Sequence, residues 1–194
     1  MERPRLVSTV VALAFYSALS ATGALAQAPE PPADSHPSAE AAAEAAALLP
    51  AGRAPLPGVI TGGQPDPAQL AALAEAGYRT VVDLRVAGEP YPQEEEKAAL
   101  EALGVEYVSI PVAGPEGLTE ENARALAAVL ADEDAYPIAI HCASGNRVGA
   151  LLALEAAWVD GAPAVDALAL GRAAGLTGLE PAVRKLLGIE PDPD

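Results

Sequence analysis

The chain predicts an α/β domain, a central mainly parallel sheet flanked by helices. Short apolar runs, VIT at 59–61, TVVDL at 80–84, VEYVSI at 105–110 and PIAIH at 137–141, have the length and composition of buried strands. Segments with helical start and stop signals separate each run from the next. Strands alternating with helices close into a parallel sheet, because each helix carries the chain back to the edge where the next strand begins.

Each element has local support. Asp66 caps and Pro67 opens a helix through Ala76, which Gly77 ends. A second helix covers Gln93 to Leu103 before Gly104, and its QEEEK run reads as a solvated face. The strand at 105–110 leads into the loop PVAGPEGL through Leu118, and Thr119 caps a third helix ending near Ala131. The strand at 137–141 enters a short loop and then a long apolar helix through Trp158, whose Leu and Ala positions read as core. Two more helices open at Pro163 and near Leu179, with Thr177 the expected cap of the last.

Upstream of this pattern, Arg3 and Arg5 precede the apolar run LVSTVVALAFYSAL and a small-residue stretch ending at Ala26. That is the form of a cleaved secretory signal over 1–26, so the mature protein is expected to be secreted or periplasmic, with no stable membrane insertion after cleavage. Residues 27–56, rich in Ala, Pro and Glu, read as a tether containing one weak helix. Residues 57–194 then form the domain, with a short acidic tail.

The 194 residues carry 11 Lys and Arg against 27 Asp and Glu, a net charge of −16. Nucleic acid is therefore not an expected partner. The same charge repels anions at long range, so anion binding has to come from local geometry. With one cysteine and two histidines, the sequence shows no metal-ligand cluster and no internal disulfide, and neither metal nor cofactor is expected.

That one cysteine, Cys142, stands where the strand PIAIH meets the loop and helix ASGNRVGALLALEAAW. Backbone amides of Ala143, Ser144, Gly145, Asn146, Arg147 and Val148 can converge on an anion there, the following helix offers its positive end, and Arg147 adds a planar fork of donors. A thiol so placed is expected to ionise and act as a nucleophile. The bland alternative is a small buried hydrophobe. Gly145 permits the inverted dihedral such a loop needs, while Ser144 and Asn146 either donate to the anion or suit a turn.

HCASGNR after an apolar strand, GGQP after the first strand, and VVDLR with Glu89 together resemble the beta-lactamase-hydrolase-like, phosphatase-like domain. That family belongs to the cysteine-dependent dual-specificity and protein tyrosine phosphatase superfamily, and the resemblance spans about residues 57–188. It implies Cys142 as nucleophile and Arg147 as oxyanion-binding residue, acting on a small sulfur or phosphate anion or a phosphorylated substrate. Four residues separate Cys142 from Arg147, whereas protein tyrosine phosphatases place five and usually follow the arginine with a hydroxyl residue; here Val148 follows. The loop length is similar to that of rhodanese-type sulfurtransferases. Sulfur transfer is accordingly placed slightly ahead of dephosphorylation, with a non-catalytic anion-binding or redox-sensing module as a third reading. The resemblance also points to a proton donor in PVAGPEGL, where Glu116 is the only carboxylate.

Accessory positions cluster nearby. His141 either donates near Cys142 or is fixed against backbone carbonyls. Asp83, Arg85 and Glu89, at or beyond a strand end, either touch substrate or brace the adjacent loop as an ion pair.

Overall fold

The structure is a computed structural model that describes residues 39–190; the expected signal segment, the first part of the expected tether and the last four residues lie outside them. Five strands form one sheet: β1 (Arg53–Leu56), β2 (Val59–Gly62), β3 (Thr80–Asp83), β4 (Glu106–Ser109) and β5 (Ile138–His141), in the order β1-β2-β5-β3-β4. β2, β5, β3 and β4 run parallel, and β1 is an antiparallel edge strand. The helices are α1 (Ala39–Ala46), α2 (Pro67–Glu75), α3 (Gln93–Ala102), α4 (Glu120–Leu130), α5 (Asn146–Trp158), α6 (Ala164–Ala173) and α7 (Glu180–Leu186).

Alternation along the strands divides the core between two faces. Ile60, Val81 and Ala139 pack with Leu70, Leu73 and Leu100 of α2 and α3, whereas Val59, Val82, Ile138 and Ile140 pack with Leu126, Leu151 and Leu154 of α4 and α5. Both faces are covered, so the strands read as continuous apolar runs. The start signals work as expected: Asp66 accepts from Gln69 N, completed as a capping box by the Gln69 side chain, and Thr119 accepts from Asn122 N. At Gly149, a Cβ would lie 2.4 Å from the Gly171 carbonyl oxygen, so the absent side chain is what lets α5 and α6 approach.

Residues 39–56 correct the tether expectation. Ala45, Ala46 and Leu49 are buried with Ile60 and Leu70, and Gly63 N donates to Pro50 O at 2.7 Å. The alanine face of α1 is small, but the sheet supplies a surface flat enough to bury it. β1 then pairs with β2 through Pro57 and Gly58, the latter at φ +71°, which turns the chain tightly enough for Leu56 to face Val59. Thr177 is corrected too: α7 starts at Glu180 with Leu179 as its N-cap residue and no side-chain cap, and it is the Thr177 carbonyl that takes Glu180 N. Among the described residues no helix is long and apolar enough to cross a membrane.

Glu155, near the end of α5, is 4 % exposed. Burial, and then Asp160, pushes its pKa up to about 7. Because the folded value lies above the unfolded one, the penalty is absent below about pH 4, grows as pH rises, and is complete once pH exceeds 7. Glu155→Gln mimics the protonated form. It is expected to match wild type in urea unfolding at pH 4 and to be roughly 3 kcal/mol more stable at pH 8. Equal stability at pH 8 would overturn this account of Glu155.

Candidate active site

The site forms at the carboxyl end of the central strand β5, between β2 and β3, where open parallel sheets place ligands. Cys142 N donates to Gly62 O, Gln64 N donates to Ala143 O, and Ser144 bridges Gly63, so the GGQP segment walls the cysteine loop on one side. Gly145 takes φ +86°, a left-handed conformation that strains any other L residue. The turn points its N–H at Cys142 Sγ, 3.1 Å away. The amides of Ala143, Ser144, Asn146, Arg147 and Val148 have no acceptor among the described residues. Five unpaired donors at and before the start of a thirteen-residue helix are the groups with which helix N-termini hold anions.

Cys142 itself is fully buried, as the bland alternative has it, yet its sulfur accepts a backbone hydrogen bond and interacts electrostatically with Arg147. Arg147 is held by Glu89 through two bonds of 2.6 Å, NH1 to Oε1 and NH2 to Oε2, and NH1 also reaches Val112 O at 3.1 Å. The paired guanidinium holds the Glu89 carboxyl below the usual carboxylate range, and the same hydrogen bonds raise Arg147. Glu89 therefore braces Arg147 rather than Arg85.

Asp83 and Arg85 are both buried and pair with each other. Arg85 uses all five of its N–H donors: Nε and NH2 on the two Asp83 oxygens, NH2 also on Glu96 Oε2 at 2.5 Å, and NH1 on Pro90 O and Tyr91 O. Burial alone would push Asp83 up, but hydrogen bonding from Arg85 and the charge of His141 outweigh it and leave the carboxyl below its ordinary range. Gln93 and the Tyr107 hydroxyl complete the shell of Asp83.

His141 lies between two carboxylates rather than against backbone carbonyls. Its Nε2 is 2.7 Å from Glu96 Oε1, off the line of a well-formed hydrogen bond, and its Nδ1 is 3.9 Å from Asp83 Oδ1. Glu96 is the residue sequence reasoning missed, having been read as one of a solvated QEEEK run. Its carboxylate gathers His141 of β5, Arg85 of the neighbouring strand end and Gln64 of the GGQP segment. Asp83, Glu96 and His141 come close enough to resemble a metal-ligand set, but the Arg85 guanidinium already engages both carboxylates from within.

Two other expected residues differ in role. Asn146 Oδ1 accepts from Thr177 N and Leu179 N, so this side chain ties down the last loop, while Ser144 is exposed in the cysteine loop. Glu116 is exposed on a short turn, Gly114–Gly117, and makes no side-chain hydrogen bond among the described residues.

A strand that ends at a cysteine, a loop whose amides lack acceptors and a following arginine on a mainly parallel sheet define a cysteine-dependent phosphatase-like domain. The chain belongs to the family described as DSP-PTPase phosphatase fused to NAD+ kinase, which matches residues 57–170. It is 35 % identical over 95 residues to a beta-lactamase hydrolase-like protein of Agrobacterium fabrum, covering 47 % of this chain and 22 % of that one. A beta-lactamase hydrolase-like protein of Xylella fastidiosa is 34 % identical over 117 residues, 58 % of this chain and 26 % of the relative. The matched region thus spans about a quarter of the length of these relatives. In fold the chain is similar to the core catalytic domain of the PP-IP phosphatase SIW14 of S. cerevisiae, in complex with citrate, with a TM-score of 0.53 at 18 % identity over 73 % of this chain and 85 % of that one.

Proposed function

We propose that the protein is an exported cysteine-dependent phosphatase in which Cys142 attacks a phosphoryl group. The observation that carries this reading is the Cys142 sulfur accepting the Gly145 N–H in a loop with five further amides unpaired among the described residues. In the reaction the thiolate sulfur bonds to phosphorus as the phosphorus–oxygen bond to the leaving group breaks. Loop amides and Arg147 hold the non-bridging oxygens throughout. Water then attacks the phosphocysteine, releasing inorganic phosphate and restoring the thiolate. With the thiol covered and the Arg147 fork engaged, the incoming anion displaces Glu89 from at least one guanidinium nitrogen.

The exposed Glu116 lacks the hydrogen bonds that would aim a proton donor at the leaving oxygen. Substrates whose leaving groups depart without protonation, aryl phosphates or phosphoanhydrides, suit such a site best. Across a series of aryl and alkyl phosphates, kcat/KM is expected to fall steeply as leaving-group basicity rises. A flat dependence would show that a proton donor acts after all.

Sulfur transfer stands second, favoured by the four-residue spacing and by Val148 in place of a hydroxyl residue. Family membership supports the phosphatase reading and reverses the order drawn from spacing alone. Thiosulfate with cyanide as acceptor separates the two: Cys142-dependent thiocyanate formation outpacing phosphate release would restore sulfur transfer to first place.

A further inference from the structure

A second polar cluster lies at the far end of α5, nine residues from Asn146 and so about 14 Å along the helix axis from the cysteine loop. There Glu155 is more than nine-tenths buried, and its carboxylate makes no hydrogen bond or ion pair with any described residue. It lines a cavity of about 250 Å³ together with Asp160, between walls that include Leu56, Leu130 and Leu170. The end of α4 reaches the same cavity through Leu130 and Ala131. Neither α4 nor α5 has a basic residue in its last turn.

Helix C-termini carry partial negative charge and are ordinarily offset by Lys, Arg or His. Here two such termini and two carboxylates converge, and among the described residues no cationic side chain lines the cavity. Tyr136 does not relieve the excess, since its hydroxyl donates to Leu130 O at 2.9 Å. A buried carboxylate of this kind is costly until a cation meets it. Calcium and magnesium ions match poorly, because they take six or more oxygen ligands and leucine walls offer none. A cation with an apolar body matches both the charge and the walls.

We propose that this cavity binds an alkylammonium group on a short aliphatic stem, with the ammonium on Glu155 and Asp160 and the stem along Leu56, Leu130 and Leu170. The ligand is either a free small amine or a lysine side chain of a protein partner; the chemistry recognised is the same. The site is independent of the phosphatase reading, because it shares no residue with the cysteine loop.

Glu155 binds the cation in its ionised form, and burial has pushed its pKa up to about 7. Besides Glu155, the titratable groups lining the cavity among the described residues are Asp160 and the Tyr136 hydroxyl, and the latter stays neutral because burial and Glu155 raise its pKa. The ionised fraction of Glu155 therefore rises about tenfold between pH 6 and pH 8, and affinity with it.

The test is calorimetric titration of the full chain with cadaverine, with a lysine-containing tripeptide, and with butanol as the uncharged control. Saturable heat is expected from at least one amine, about tenfold tighter at pH 8 than at pH 6. It is expected to vanish in Glu155→Gln, a variant that removes an unpaired charge and so keeps its fold. Tighter binding of the diamine assigns a free small amine, and tighter binding of the tripeptide assigns a lysine side chain. Heat unchanged in Glu155→Gln, equal heat from butanol, or no saturation by either amine overturns the proposal.

Discussion

Replacing Cys142 by serine is expected to lower phosphate release by roughly 10⁴-fold or more, while the protein stays folded and the loop keeps binding inorganic phosphate. The serine oxygen can occupy the sulfur position and accept the Gly145 N–H as Sγ does at 3.1 Å. It cannot match the reactivity, because a serine without an adjacent base is a weak nucleophile at neutral pH. His141, beside it in sequence, places its ring nitrogens towards the buried carboxylates of Glu96 and Asp83. Arg147→Lys is expected to cost less, about 10² to 10³-fold, since it removes the planar fork but keeps a positive charge near the loop amides. Phosphate release measured alongside phosphate binding checks both variants. Turnover by Cys142→Ser within tenfold of wild type would remove the thiol from the mechanism, whereas lost phosphate binding with an intact circular dichroism spectrum would show that the sulfur itself builds the anion site.

Why this loop was legible in sequence, while its support was not, follows from the range of the forces involved. Gly145, Arg147 and the amides around them act within six residues of Cys142, so residue type and spacing were enough to assemble them. The strands and the capped helices were legible for the same reason, Asp66 and Thr119 being local signals for local hydrogen bonds. Glu96 was not. Three consecutive glutamates on α3 are separated by a helical rotation that lets only one of them face the sheet, and which one is decided by Arg85 and His141 on other elements. The pairing of Glu89 with Arg147 joins residues 58 apart in sequence and was hidden in the same way. β1 is a different case: Pro57 and Gly58 between Leu56 and Val59 are a usable turn signal, but the Ala, Pro and Glu content of residues 27–56, Pro55 of the strand included, reads as a tether. On a sheet edge proline is tolerated, because one side of the strand needs no partner.

The buried network around Arg85 leads to the second large expected effect. Arg85→Lys is expected to destabilise the fold by roughly 2 to 4 kcal/mol even though charge is conserved. Arg85 fills five donor positions at once, and a lysine ammonium has three. If lysine keeps the contacts to Asp83 and Glu96, the carbonyls of Pro90 and Tyr91 lose their donors. Those two bonds hold Tyr91 at φ +69°, a left-handed conformation for a side chain that is 65 % exposed and has little packing to keep it there. Glu89 stands just before this pair, so loosening the segment also frees the carboxylate that orients Arg147. The variant should therefore lose kcat/KM as well as stability. Arg124→Lys, on an exposed ion pair with Glu120, is the control and is expected to change stability by less than about 1 kcal/mol. Urea unfolding at pH 7 with phosphatase rates on the same samples gives the answer. If Arg85→Lys unfolds at the wild-type midpoint, the fork geometry is not what secures the loop; if stability falls while kcat/KM stays constant, the Arg85 segment does not govern the placement of Arg147.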